Sequence, residues 1–96
     1  MNGMEKKAKS ASEFLKQISN PHRLLILCNL VEGEKNVSEL LQKIDISQPN
    51  ISNHLAKLRD DGIVDYRREH RTLYYFIKNK NILKIIETLY EIYCKK

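Results

Sequence analysis

Residues 36–77 begin with two short helical patterns that are separated by a tight turn. Asn36 can cap the first helix while Glu39 reaches back to it, which is an Asn version of the capping box. The turn "DIS" leads to Ser47, which can cap a second helix whose first turn tolerates Pro49. This pair restricts the chain to folds that are built on a helix–turn–helix.

The second helix of the pair is followed by a pattern that is typical of a β-hairpin. Gly62 ends the helix. Residues 63–68 and 72–77 are β-rich runs, and a charged tip joins them. A helix–turn–helix followed by such a hairpin has the architecture of a winged helix–turn–helix.

Apolar spacing predicts three further helices, over residues 10–18, 21–32 and 81–94. Asn20 and Pro21 form a strong start signal for the middle one. The predicted fold class is therefore mainly α with a small β-hairpin (α+β). Residues 1–9 are expected to be a flexible basic tail that precedes one domain, residues 10–96.

The last predicted helix carries more apolar surface than a lone terminal helix would expose to water. A wide stripe on it consists of Ile82, Ile85, Ile86, Leu89, Ile92 and Tyr93. Leu83 and Tyr90 add a second apolar face. A domain of this size is often marginally stable alone, so dimerisation is expected.

The helix after Ser47 has one apolar side and one side that suits the major groove of DNA. At about 100° per residue, Ile51, Leu55 and Leu58 face the core. Amide side chains can pair with adenine, and the first turns of such a helix reach the bases. The residues expected to contact base edges are Gln48, Asn50, Ser52 and Asn53. Lys57 and the backbone near Ser47 are expected to hold phosphates. A solvated helix face without function is the alternative.

Two further groups of side chains can contact DNA. His54 lies at the edge of the core face, where a packed or phosphate-contacting residue is favoured over a metal ligand. The hairpin tip places Arg67, Arg68, His70 and Arg71 close together, as a wing on the DNA backbone requires. A charged tip that only blocks edge pairing is the alternative. The net charge of +5 is not concentrated here, because residues 47–71 contribute only +1.

The two cysteines, Cys28 and Cys94, lie 66 positions apart and lack the spacing of a metal ribbon. Burial in the core alone could explain Cys28. The three histidines and two cysteines offer no catalytic set, so no enzyme activity and no cofactor are expected. Because no apolar signal core or membrane span is present, a cytoplasmic protein without membrane contact is expected.

Four segments together resemble the ArsR/SmtB family of bacterial transcriptional repressors: "PHRLLIL", "VSELL", "SQPNISNHLAKLRDDGIV" and "YRREHRTLYY". The resemblance extends from about Phe14 to Cys94. It implies a homodimeric winged helix whose first and last helices form the dimer interface. It also implies binding to double-stranded operator DNA and release when an inducer is sensed.

The metal sites of that family are not matched here. The segment that begins "NVSELL" has no Cys, and residues 81–96 have neither His nor Asp. The cysteine pair instead resembles the branch that senses persulfides or oxidants through two thiols. The resemblance implies that Cys28 and Cys94 approach each other within one subunit and are joined by a disulfide or a sulfur chain. The alternatives are a metal sensor with unfamiliar ligands and a winged helix that binds only proteins.

Overall fold

A computed structural model describes residues 2–94 of the 96-residue chain. The chain forms α1 (Asn2–Ile18), α2 (Pro21–Val31), α3 (Val37–Lys43), α4 (Gln48–Asp60), β1 (Val64–Glu69), β2 (Thr72–Ile77) and α5 (Lys80–Tyr93). The predicted fold class, mainly α with a small β-hairpin, is confirmed. None of the helices in the described part of the chain is long and apolar enough to cross a membrane.

Side-chain caps set the starts of the three central helices, as the sequence predicts. Asn20 Oδ1 accepts hydrogen bonds from the backbone N–H groups of His22 and Arg23 at the start of α2. At α3, the Glu39 N–H donates to Asn36 Oδ1 over 2.8 Å, and the Asn36 N–H donates to Glu39 Oε1 over 2.9 Å. These bonds satisfy N–H groups that have no partner within the helix, so the capping residues fix where each helix begins.

The first helix begins at Asn2, eight residues before the start that apolar spacing predicts. Residues 3–9 are exposed and lack an apolar stripe, but Met, Glu, Lys and Ala all favour helix. Glu5 and Lys9 also stand at the spacing that stabilises an exposed helix. Residues 2–9 are therefore helical in the structure, and the flexibility expected of this segment stays a prediction.

The hairpin pairs β1 and β2 antiparallel, from Val64 opposite Ile77 to Glu69 opposite Thr72. β1 begins and ends one residue later than predicted. His70, the first turn residue, has a φ of 58°, a left-handed conformation that His tolerates better than most side chains. On its other edge, β2 forms a single antiparallel bridge with Lys35. The Lys35 N–H donates to the Tyr75 carbonyl over 3.1 Å, and the Tyr75 N–H donates to the Lys35 carbonyl over 2.8 Å.

In the hydrophobic core, α2 lies between the α3–α4 pair and α5. Its buried residues come from every helix, and α2 and α4 contribute Ile26, Leu27, Leu30, Ile51, Leu55 and Leu58. Ile86 is the buried residue of α5. Because α2 packs against both α4 and α5, it lies between the last helix and the second helix of the helix–turn–helix.

Candidate DNA-binding face and dithiol site

The outer face of α4 is open to solvent. Ile51, Leu55 and Leu58 are fully buried on the opposite side. The predicted base-contacting and phosphate-contacting residues of this helix are exposed: Ser47, Gln48, Asn50, Ser52, Asn53 and Lys57. Ser47 also caps the helix, since its Oγ accepts the Asn50 N–H over 3.3 Å. The face is thus free to enter a major groove, and its contact with bases stays a prediction.

His54 differs from these residues because it is half-buried and bonded within the subunit. Its Nδ1 accepts a hydrogen bond from Arg23 Nε over 3.3 Å. Arg23 also donates from Nη1 to the Gln17 carbonyl at the end of α1 over 2.9 Å. Burial lowers the pKa of His54 below its usual value, and Arg23 and His22 lower it further. His54 is therefore neutral near pH 7, with its proton on Nε2.

The four predicted basic residues of the hairpin are all exposed, but they differ in their partners. Arg67 forms ion pairs with Glu34 at 2.8 Å and with Glu69 at 2.9 Å. Within residues 2–94, Arg68 and Arg71 have no carboxylate at ion-pair distance. The structure therefore leaves the charges of Arg68 and Arg71 free at the tip, and it offsets the charge of Arg67.

Arg59 connects α4 to the hairpin, and sequence reasoning missed it. Its Nε donates to Asp65 Oδ1 over 3.0 Å, and its guanidinium lies 4.2 Å from the centre of the Tyr66 ring. The Asp65 carboxylate accepts the Tyr66 N–H, which lowers the pKa of Asp65, and the hydrogen bond from Arg59 lowers it further. A basic residue six positions before an acidic one, across a helix end, is too common a pattern to have revealed this contact.

The two thiols lie against each other. Cys28 Sγ, on α2, is 3.8 Å from Cys94 Sγ, at the end of α5, and both are free cysteines. Cys28 is half-buried and Cys94 is exposed. Burial raises the pKa of Cys28 to about 11, and the contact with Cys94 adds to the rise. Cys28 therefore stays protonated at neutral pH, and Cys94 is the thiol that solvent reaches.

Two cavities flank the thiol pair. One, of about 250 Å³, is almost wholly apolar and is lined by Pro21, Leu24, Leu25, Leu89 and Tyr93 together with both thiols. The other, of about 230 Å³, is lined in part by Asn29, Glu32 and Tyr90. The Tyr90 hydroxyl donates to Glu32 Oε2 over 3.4 Å, one helical turn from the thiols on each helix. Small molecules therefore have room to approach the thiols from two sides.

The described part of the chain has no cluster of side chains that could form a metal site. Among the residues that the structure describes, no three His, Cys, Asp or Glu side chains come together at a distance that would hold a metal ion. The alternative of a metal sensor with unfamiliar ligands therefore gains no support from the geometry.

Comparison with known proteins gives consistent matches. The family model "Bacterial regulatory protein, arsR family" matches residues 20–66. The biofilm growth-associated repressor of Agrobacterium fabrum is 43% identical over 95% of this chain and 78% of its own length. The transcriptional activator HlyU of Vibrio cholerae is 40% identical over 96% of this chain and 85% of its own length.

Solved structures agree with the sequence comparison. Reduced HlyU from Vibrio cholerae matches with a TM-score of 0.91 and 39% identity, over 98% of this chain and 99% of that one. The transcriptional repressor BigR from Xylella fastidiosa matches with a TM-score of 0.90 and 41% identity, over 97% and 92% of the two chains. The winged helix–turn–helix assignment is thereby confirmed.

Proposed function

This chain belongs to the ArsR family of bacterial regulatory proteins, and we propose that it is a homodimeric repressor that leaves its operator when Cys28 and Cys94 are joined. That it is a DNA-binding transcriptional regulator and not an enzyme follows from the family. The observation that carries the proposal is the 3.8 Å contact between the two sulfur atoms.

The DNA contacts are proposed for the exposed face of α4 and for the hairpin. Gln48, Asn50, Ser52 and Asn53 contact base edges, because amides and hydroxyls at the start of such a helix reach the groove floor. The phosphate contacts come from Lys57, the N–H groups near Ser47, the Nε2–H of His54, and the basic hairpin residues Arg68, His70 and Arg71. Arg67, which sequence reasoning places in the same group, has its charge offset in the free protein.

Dimerisation through α1 and α5 is supported by apolar side chains that this subunit leaves exposed. On α5, Ile85, Ile92 and Tyr93 are 42%, 63% and 79% exposed, and Leu15 on α1 is 56% exposed. Ile85, Leu89 and Ile92 follow the i, i+4, i+7 spacing of a helix–helix seam. A second copy would cover these side chains and present two α4 helices to adjacent turns of DNA.

The proposed chemistry starts at Cys94, which is the exposed thiol. Its thiolate attacks the outer sulfur of a persulfide R–S–S–H. An S–S bond forms on Cys94, the S–S bond of the persulfide breaks, and R–S⁻ leaves. Cys28 then attacks the Cys94 sulfur, its proton passes to the departing sulfur, and hydrogen sulfide leaves. The product is a Cys28–Cys94 disulfide, and no further oxidant is consumed.

The bridge would act on DNA binding through α2. A disulfide holds its sulfur atoms about 2.05 Å apart, so the pair must close by about 1.8 Å from its contact distance. A longer sulfur chain would instead hold the helices at a different spacing. Either change alters how α2 packs between α4 and α5, and two half-sites one helical turn apart tolerate little change in the spacing of the α4 helices. A coupling of 5- to 150-fold in operator affinity, about 1–3 kcal/mol, is typical of such regulation.

Mass spectrometry of the protein after persulfide treatment tests this proposal. We expect a Cys28–Cys94 linkage within one subunit and a parallel loss of binding to a duplex from the protein's own promoter region. The variants Cys28→Ser and Cys94→Ser should bind the duplex when reduced and should keep binding after treatment. A linked protein that binds as tightly as the reduced one would overturn the proposal, as would release of DNA by the Cys94→Ser variant.

A further inference from the structure

The hairpin, residues 64–77, is held to the rest of the subunit at two places on the α2–α3 connection. The first is the pair of backbone hydrogen bonds between Lys35 and Tyr75. The second is the ion pair between Glu34 Oε1 and Arg67 Nε, at 2.8 Å. We refer to the Glu34–Arg67 pair as the wing tie. Because Arg67 lies farther along β1 than Tyr66, the partner of Tyr75, the tie restrains the hairpin nearer its tip.

The guanidinium of Arg67 has two carboxylate partners and one aromatic neighbour. Its Nε donates to Glu34 and its Nη1 donates to Glu69, while its Cζ lies 4.7 Å from the centre of the Tyr74 ring. Two carboxylates face one cation, so the cluster carries a net charge of −1. Such a cluster repels a phosphate, and releasing Arg67 to bind one would leave Glu34 and Glu69 beside the DNA backbone.

Unlike Arg67, the neighbouring residues Arg68 and Arg71 are not paired with carboxylates in the described part of the chain. Successive side chains on a strand point to opposite faces, so Arg68 lies on the other face of the hairpin from Arg67. Arg68 and Arg71 are exposed and carry no ion pair within residues 2–94. Their charges are available to phosphates.

We propose that Arg67 is a positioning residue: its ion pair with Glu34 sets the angle of the hairpin, while Arg68 and Arg71 make the phosphate contacts. This proposal rests on the proposed contact of the hairpin with DNA. It differs from the assignment that sequence reasoning gives Arg67, in which all the basic residues of the tip bind DNA directly.

The two possible roles of Arg67 predict opposite effects of the substitution Glu34→Gln on DNA affinity. If Arg67 binds phosphate, Glu34→Gln removes a competing carboxylate and strengthens DNA binding. If Arg67 positions the hairpin, Glu34→Gln loosens the hairpin near its tip and weakens DNA binding, although it makes the protein more positive. Glu69→Gln is the matched control, because it removes the same charge from a residue that lies on the hairpin and does not tie it to the body.

The test is a salt titration of affinity for the promoter duplex, by fluorescence anisotropy, with the full-length chain. Glu34→Gln and Arg67→Gln are each expected to weaken binding about two- to fivefold per subunit, the range of an exposed ion pair. Glu69→Gln is expected to leave binding unchanged or to strengthen it. Arg68→Gln and Arg71→Gln are expected to reduce the slope of log affinity against log salt by about 0.9 for each phosphate that the variant no longer neutralises. Arg67→Gln should leave that slope unchanged.

A charge exchange completes the test. The double variant Glu34→Arg, Arg67→Glu restores the tie in reverse and should recover most of the affinity that either single change loses. Stronger binding by Glu34→Gln, a reduced salt slope in Arg67→Gln, or no recovery in the exchange would each overturn the role of the tie. If Arg68→Gln and Arg71→Gln change neither affinity nor slope, the hairpin does not contact DNA. That result would refute the proposed contact between the hairpin and DNA, and with it the proposed role of the wing tie.

Discussion

The substitution Ile92→Ser should separate the two subunits without unfolding either. Ile92 is 63% exposed in the single subunit, so a partner that covers it would bury most of its side chain. Full burial of an isoleucine contributes about 1.5–3 kcal/mol, and the exposed share is worth about 1–2 kcal/mol. A twofold interface buries the residue twice, which gives about 2–4 kcal/mol. The dimer dissociation constant should therefore rise about 30- to 700-fold.

Sedimentation velocity over a dilution series measures this constant directly. Glu87→Ser is the matched control, because Glu87 is exposed on the opposite side of α5 and its loss should leave the dimer intact. The far-UV circular dichroism of Ile92→Ser should equal that of the parent chain at concentrations where the variant is monomeric. If the parent chain sediments as a monomer, or if Ile92→Ser dimerises as tightly as the parent, the assignment of α5 to the interface is wrong.

Three further substitutions test the site and the core. Asn53→Ala should cost about 1–3 kcal/mol of operator affinity and little of the affinity for unrelated DNA, measured by competition anisotropy. Leu55→Ala, at a fully buried position, should lower the free energy of unfolding in urea by about 2–5 kcal/mol. The free energy of unfolding of the reduced protein should fall as pH rises from about 9 to about 11. The reason is that the folded state keeps the Cys28 proton, whose pKa is raised to about 11, while the unfolded chain releases it near 9.0. Cys28→Ala should show a smaller fall over the same pH range.

The elements that could be predicted are those that depend on residues close in sequence. Asn20, Asn36 and Ser47 each cap a helix through an N–H two or three positions away, so the signal and its effect lie within one turn. The start of α1 was missed for a related reason. Residues 2–9 have no apolar periodicity, and their helical structure depends on intrinsic propensity, which a search for apolar stripes does not detect.

The contacts that could not be predicted join residues far apart in sequence. Arg23 and His54 are 31 positions apart, and Glu34 and Arg67 are 33 apart. Nothing near Arg67 in the sequence distinguishes it from Arg68, and only the folded structure shows that Arg67 is the one that pairs with Glu34. The approach of Cys28 and Cys94 across 66 positions was implied by the family resemblance and not by the residues themselves.

Hydroxyl-radical footprinting of the reduced protein on its promoter duplex tests most directly the claim that a dimer inserts two α4 helices into DNA. We predict two protected tracts whose centres lie about 10–10.5 base pairs apart, on one face of the duplex, and loss of both tracts in the Asn53→Ala variant at the same protein concentration. A single tract, or a footprint that Asn53→Ala leaves unchanged, would contradict the account.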